Sequence, residues 1–270
     1  VNIVSRLLIT SGPVTTVTLN RPEVRNAFDA ALIDDLTAFA SSIPTDGSVR
    51  VVVLQGAGSV FSAGADLQWM SAMLKYTREE NLEDARRAAS MFQAIDTIPV
   101  PVVARIHGAA LGGGAGLAAV ADVVVAATDA VFGFTEVTLG ILPAMISPYV
   151  VRKIGLSAAR ELCLSGMRFS AARAREVGLV HEVVSAARLD LEVDRYAQQF
   201  RRVAPSAVAA TKALLSQVHG KAPAEVLQTT VAAIANQRVS PEGQDGMRAF
   251  LDKRHPSWVA PEHATVPRDS

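Results

Sequence analysis

A single cysteine, Cys163, occurs in 270 residues. That excludes an internal disulfide and a cysteine-built metal site. It sits in ELCLSG, an apolar helical context, and reads as packed core. There is no surplus of either charge, with 26 Lys and Arg against 26 Asp and Glu. Nucleic acid and anionic membrane surfaces are therefore not expected partners, although one Lys or Arg could still grip a single anionic group. No uncharged stretch reaches the ~18 apolar residues that a membrane span needs. The amino terminus, VNIVSRLLIT, has no basic leader followed by a long apolar segment. A soluble, reducing, cytoplasmic setting is the expectation. What is present in quantity is hydrophobic residue, 50% of the chain against 19% charged. That composition excludes disorder, and the length allows one domain of ~200–250 residues with an appendage, or two domains.

Strand, loop and helix alternate along the first two thirds, which predicts an α/β core. Leu7–Thr10 and Val14–Asn20 flank Ser11-Gly12-Pro13 as two strands and a turn. Asp29 can cap a helix that places Leu32, Leu36, Phe39 and Ala40 on one face. Val51–Leu54 reads as a buried strand, and a helix is expected to start near Asp66. Thr77 and Glu80 have capping-box spacing, ahead of a stripe of Leu82, Ala85, Ala89 and Phe92. Val102–Ile106, Asp122–Ala127 and Ala130–Phe134 are further strands. Ser157–Ser165 and Ser170–Val177 read as helices and Val180–Val184 as a short strand. Helices are then predicted over Arg188–Arg202, Ala207–Val218 and Ala224–Ala235. The expected division is a core over residues 1–188 and a helical region over 189–270, packing on its own core or on a neighbouring subunit.

Familiar catalytic signatures fail on inspection. Gly56-Ala57-Gly58 begins a dinucleotide fingerprint, but Phe61 stands where its third glycine belongs. No Gly-Lys-Ser/Thr phosphate loop occurs. His181-Glu182 lacks a second zinc histidine, and Gly155-Leu156-Ser157 lacks the second glycine of a nucleophile elbow. The five histidines, His107 among them, do not cluster, and no metal site is expected.

Two small-residue loops remain. HGAALGGGAGLAAVAD (His107–Asp122) hands a strand over to a helix through Gly112, Gly113 and Gly114. Ser62-Ala63-Gly64-Ala65-Asp66 does the same between Val51–Leu54 and the next helix. Glycines there serve either tight packing or the outward display of backbone N–H groups at a helix start, where a negative oxygen is stabilised. If each loop aimed one N–H at a common point, the pair would form an oxyanion hole. Glu136, in VFGFTEVTLGILP, is a lone carboxylate among apolar residues. It is either a general acid/base with a raised pKa, or a helix cap or ion-pair partner. Asp66, at a helix start, is the rival carboxylate and is better placed for capping.

LNRPEVRNAF, VFSAGADL, HGAALGGGAGLAAVAD and FGFTEVTLGILP, in that order, resemble the enoyl-CoA hydratase/isomerase (crotonase) family. GLVHEVV and FLDKRHPSW extend the likeness over nearly the whole chain. The resemblance implies an α/β superhelix of repeated ββα units with a helical carboxyl-terminal trimerisation region, and a homo-trimer or hexamer. It implies an acyl-CoA thioester substrate, with coenzyme A part of that substrate and no separate cofactor. By motif position the oxyanion donors are the amides of Ala65 and Gly113, beside Gly112, and Glu136 is the catalytic glutamate. Ala27, Ala63, Asp66, Leu67 and Gln68 are implied to lie along the CoA arm, with Arg25 and Lys253 as candidates for its phosphates. The departure is Gly116, where family hydratases carry a further glutamate. Three readings follow: a one-carboxylate hydratase, a Δ3-Δ2 isomerase, or a non-catalytic acyl-CoA binder. Gly116 is also expected to empty space near the acyl group and suit a branched chain. With SAGADLQWM, it likens the chain to the branch acting on 3-methylglutaconyl-CoA and its isoprenoid relatives.

Overall fold

Runs of valine bounded by turn residues become strands in the computed structural model, which describes residues 5–259. Residues 260–270 of the expected helical region, and the first four of the amino terminus, lie outside them. A six-stranded sheet contains, in spatial order, β1 (Leu7–Thr10), β2 (Val14–Leu19), β3 (Val51–Gly56), β4 (Val102–Ile106), β6 (Val123–Ala127) and β9 (Glu182–Val184). Only the β1–β2 hairpin is antiparallel. Val17, Leu54, Ala104 and Val124 align in one row across the sheet.

The central strands are buried on both faces, which is why they read as continuous apolar runs rather than alternating ones. On one face, Val52, Leu54, Ala104 and Val124 pack under α1 (Ala30–Ser42), α3 (Arg78–Asp96), α4 (Gly113–Val120) and α5 (Ser147–Ser165). On the other, Val51, Val53, Val103 and Val125 meet Leu189, Val193 and Ala197 of α7 (Leu189–Arg201). A boundary at residue 188 thus separates α7 from the sheet it covers. Beyond it lie α8 (Pro205–Val218), α9 (Pro223–Val239) and α10 (Pro241–Leu251). No helix among the described residues is long and apolar enough to cross a membrane.

A second layer positions the site. Several strands of the main sheet are followed by a short second extended segment, and these segments stack. Phe28 pairs with Ala65 and Ser62 with Ala110, both parallel. β5 (Ala109–Leu111) then pairs with β7 (Val131–Gly133), and β7 with β8 (Arg168–Ser170). Each segment exits into a helix or turn. Three consecutive exits, at Ala65 before α2 (Leu67–Met73), at Gly113 opening α4, and at Glu136, are therefore brought side by side.

Local signals held where their physics is local. Asp29 accepts from the Leu32 amide at 2.8 Å, and the Thr77–Glu80 capping box is complete in both directions. The α3 stripe is displaced from the expected one. Ala88, Met91, Phe92 and Ile95 are buried, whereas Leu82 and Ala89 are exposed. Three-residue strands β5 and β8 are too short to show a period, and α10 went unread. Helix α5 begins at Ser147, not Ser157, because Pro148 is tolerated in a first turn. Gly155, at φ 75°, kinks the helix and disguises its continuity.

Candidate active site

The first loop turns its amide outward by strand alternation. The Phe28 N–H donates to Gly64 O at 2.7 Å, and the Asp66 N–H donates to Phe28 O at 2.9 Å. In a parallel pairing the intervening residue faces the other way. The Ala65 N–H is that residue, and Ala65 is exposed. In the second loop the Gly112 N–H donates to Gly133 O at 2.8 Å. Gly113 is the first residue of α4, so its N–H has no acceptor within the helix.

Glycine is demanded here by contact as well as by conformation. Gly64 and Gly112 have φ of 94° and 49°. A Cβ on Gly64 would stand 3.0 Å from Leu111 O. One on Gly112 would stand 3.4 Å from Glu136 Oε1 and 3.8 Å from Gly64 Cα. The two loops and the carboxylate thus converge on one small volume. Packing and display of N–H groups, the two readings of the glycines, both hold.

Glu136 opens a 3-10 turn, Glu136–Leu139. Its Oε2 is buried and has no hydrogen-bond partner. Burial raises its pKa above the ordinary glutamate value, opposed only by a backbone hydrogen bond within the residue. The cap and ion-pair alternatives therefore do not describe it. Burial, and then the nearby Glu136 charge, raise the Cys163 thiol too.

The family model for "Enoyl-CoA hydratase/isomerase" matches residues 10–261. The chain belongs to the enoyl-CoA hydratase/isomerase family. It is 34% identical to the 2,3-dehydroadipyl-CoA hydratase of Escherichia coli K12, over 91% of this chain and 94% of that one. Among solved structures, an enoyl-CoA hydratase from Shewanella pealeana superposes with a TM-score of 0.90 at 36% identity, covering 95% and 97% of the two chains. AtuE of Pseudomonas aeruginosa gives 0.91 at 40%, covering 95% and 100%. The crotonase fold and its carboxyl-terminal helices are as the resemblance implied.

Two expectations about this crotonase are changed by its packing. The Asp66 side chain is committed to the fold, as its capping reading implied, and is not free to meet a ligand. Its Oδ1 accepts from the Gln68 and Trp69 amides, at 2.7 and 3.3 Å, and its Oδ2 lies 2.9 Å from Arg21. Burial alone would raise its pKa, but those N–H groups and Arg21 outweigh it and hold the pKa below the ordinary carboxylate range. Gly116 does not leave a space. A Cβ there would lie 2.3 Å from Ile146 Cγ2 and 3.0 Å from Phe92 Cε1, so Ile146, just before α5, and Phe92 of α3 have already filled the position.

The remaining residues sort by exposure. Leu67 is 82% exposed and Gln68 is exposed beside it at the head of α2. Ala63 donates its N–H to Arg25 O at 3.0 Å, which seats Arg25 against the first loop. Ala27 is buried, and its carbonyl accepts from Arg21 at 2.5 Å. Lys253 is exposed, at φ 54° just after α10. Among the described residues no hydrogen bond or ion pair joins it to the two loops. His107 is a packing residue, with ring nitrogens on Gly58 O at 2.9 Å and Arg105 at 3.2 Å. Sequence reasoning missed Arg21, Asn26 and Ser62. A lone Asn before a buried segment tolerates left-handed backbone, and that was the one available signal for Asn26. Among the described residues no group of His, Cys, Asp and Glu could hold a metal ion.

Proposed function

We propose that this crotonase hydrates the 2,3 double bond of an enoyl-CoA thioester. The observation that carries the reading is a half-buried carboxylate, its Oε2 buried without a partner, at the meeting point of two loops that each present a free amide. The thioester oxygen docks between the N–H groups of Ala65 and Gly113, with the α4 dipole behind the second. Glu136 takes a proton from water as its oxygen bonds to C3. The C2–C3 π electrons move toward the carbonyl, and charge builds on the thioester oxygen as an enolate. Glu136 then returns a proton to C2 and the carbonyl reforms. The two amides bind the enolate better than the neutral carbonyl, which is the condition for rate acceleration. Burial supports the role of Glu136, because a raised pKa suits both halves of the proton cycle.

The CoA arm is assigned to Ala63–Gln68 by backbone and apolar contact, with Arg25 and Lys253 toward its phosphates. A branched, methylglutaconyl-like acyl chain is supported by motif resemblance alone, since Ile146 fills the space once invoked for it. A homo-trimer or hexamer is supported by Leu227, Val231 and Ile234. They recur at helical spacing on α9 and are exposed, as are Phe250 and Leu251 of α10.

One observation favours a second reading. With position 116 packed shut, a single carboxylate serves the site, and one is enough to shuttle a proton between C4 and C2 in a Δ3-Δ2 isomerase. Ultraviolet absorbance separates the two. Loss of the conjugated-enone band from 2-enoyl-CoA identifies the hydratase, and a gain of that band from 3-enoyl-CoA identifies the isomerase. Neither change with any chain length overturns both. Branched and straight 2-enoyl-CoA thioesters in the same assay test the acyl assignment.

A further inference from the structure

The first amide-bearing loop belongs to no long strand or helix from Ala57 to Asp66, yet a donor must hold its place to about half an ångström to be useful. Two buried polar side chains outside the described chemistry tie it to its neighbours. Asn26 is 0% exposed, with φ 54°. Its Nδ2 donates to Ala57 O at 2.8 Å and to Val60 O at 2.9 Å, closing the loop's entrance. Its Oδ1 accepts from the Arg21 amide at 2.9 Å. All the side chain's hydrogens are used on backbone.

Ser62 is also 0% exposed, and it touches both loops. Its hydroxyl donates to Asn26 O at 2.9 Å and accepts from the Gly64 N–H at 3.3 Å, one residue before the Ala65 amide. Its backbone N–H donates to Ala109 O at 3.0 Å, and its carbonyl accepts from Leu111 at 3.0 Å, two residues before the Gly113 amide. The first turn of α4 rests on it, since a Cβ on Gly114 would lie 2.8 Å from Ser62 Cβ. A hydroxyl is the one small group that can both donate and accept at this crossing.

We propose that Asn26 and Ser62 form a clasp that sets the spacing of the Ala65 and Gly113 amides, and are thereby positioning residues for enolate stabilisation. The inference rests on the oxyanion reading of those amides. Neither side chain touches substrate. The clasp therefore acts on the transition state, where charge on the oxygen is greatest, and hardly on the ground-state complex.

The test is Ser62→Ala, read by turnover and by a spectroscopic probe. The probe is a β-ketoacyl-CoA, whose enolate absorbs in the near ultraviolet. The pH midpoint of its enolisation on the protein reports how well the two amides hold an oxyanion. The expected result is a kcat lower by about 10- to 100-fold with KM within about threefold, and an enolisation midpoint raised by about one unit. Affinity for a non-enolisable thioether analogue of CoA should not change. If Ser62→Ala does not fold, Ser62→Cys keeps the packing while weakening both hydrogen bonds and is read in the same way. A folded variant with the parent's kcat and midpoint overturns the clasp, and so does a loss confined to KM. A parent protein that neither turns over enoyl-CoA nor lowers the probe's midpoint overturns the oxyanion reading itself.

Discussion

The two ends of the parallel strands treat buried polar groups in opposite ways. At the amino ends of β4, β6 and β9, Asp122, Lys153 and His181 each have a partner, although Arg202 Nε, just past α7, is buried without one. Asp122 Oδ2 accepts from the Val102 amide and pairs with Lys212 at 2.6 Å. Lys153 caps α4 through Ala121 O at 2.5 Å, and His181 Nδ1 accepts from the Val124 amide at 2.9 Å. Beyond the carboxyl ends, past β5 and β7, Glu136 Oε2 has no partner and the site's two amides are left open. Hydrogen bonding at the first end ties α8 and the sheet together. The proposed chemistry, binding a transient oxyanion and moving protons, needs groups that are not saturated beforehand, and a buried carboxylate oxygen without a partner is the cost.

Three experiments probe this contrast. Glu136→Gln should reduce turnover by about 10²- to 10⁴-fold while thioester binding persists. Thermal melting should show no loss of stability. A carboxyl group whose folded pKa is raised costs stability when ionised at neutral pH, and the amide removes that cost. In the parent, the acidic limb of the kcat/KM profile should lie above the ordinary glutamate range. A variant that melts well below the parent would mean that Glu136 belongs to the fold, and the contrast would fail.

Gly116→Ala should cost about 1–3 kcal/mol in urea unfolding, from overpacking against Ile146. Ile146→Ala in the same chain should recover part of that cost. An unaffected Gly116→Ala would reopen the idea of vacant space beside the acyl group.

The smallest effect is expected at the saturated end. Burial pushes the Lys153 ammonium down to about 8, against attraction from Asp122. Between that value and the ordinary 10.5, the unfolded chain binds more protons than the folded one, so stability should rise with pH. The gain should be on the order of 1–2 kcal/mol and vanish in Lys153→Met. A flat stability curve in the parent over that window would show that Ala121 O and Asp122 already compensate the burial. Burial likewise lowers His181 to about 4. Its contribution to stability is present above the ordinary value of 6.5 and is lost as pH falls toward that lower one.

Legibility followed range. The caps at Asp29, Asp66 and Thr77 were readable because a cap joins residues two or three apart. The glycine turn was readable because β-branched residues precede it and small helix formers follow. The α3 stripe went astray because Met91 and Ile95, not Leu82 and Ala89, meet the core. Periodicity names a spacing, and packing chooses which of several equivalent spacings is buried. Gly116 was misread for a related reason. An absent side chain looks like space along a sequence, but Ile146, thirty residues on, had taken it.

The sequence by itself determined the strands, the caps, the two small-residue bends and the isolation of Glu136 from neighbouring charge. Each of these is set by residues a few positions apart. Tertiary structure alone decided that the loops of Gly64 and Gly112 meet beside Glu136, that Arg21 claims Asp66, and that Asn26 and Ser62 join the two bends. Those pairings join segments some 30 to 50 residues apart through single hydrogen bonds and close backbone contacts. Such contacts depend on how successive strand–strand–helix units stack, and no local period encodes that.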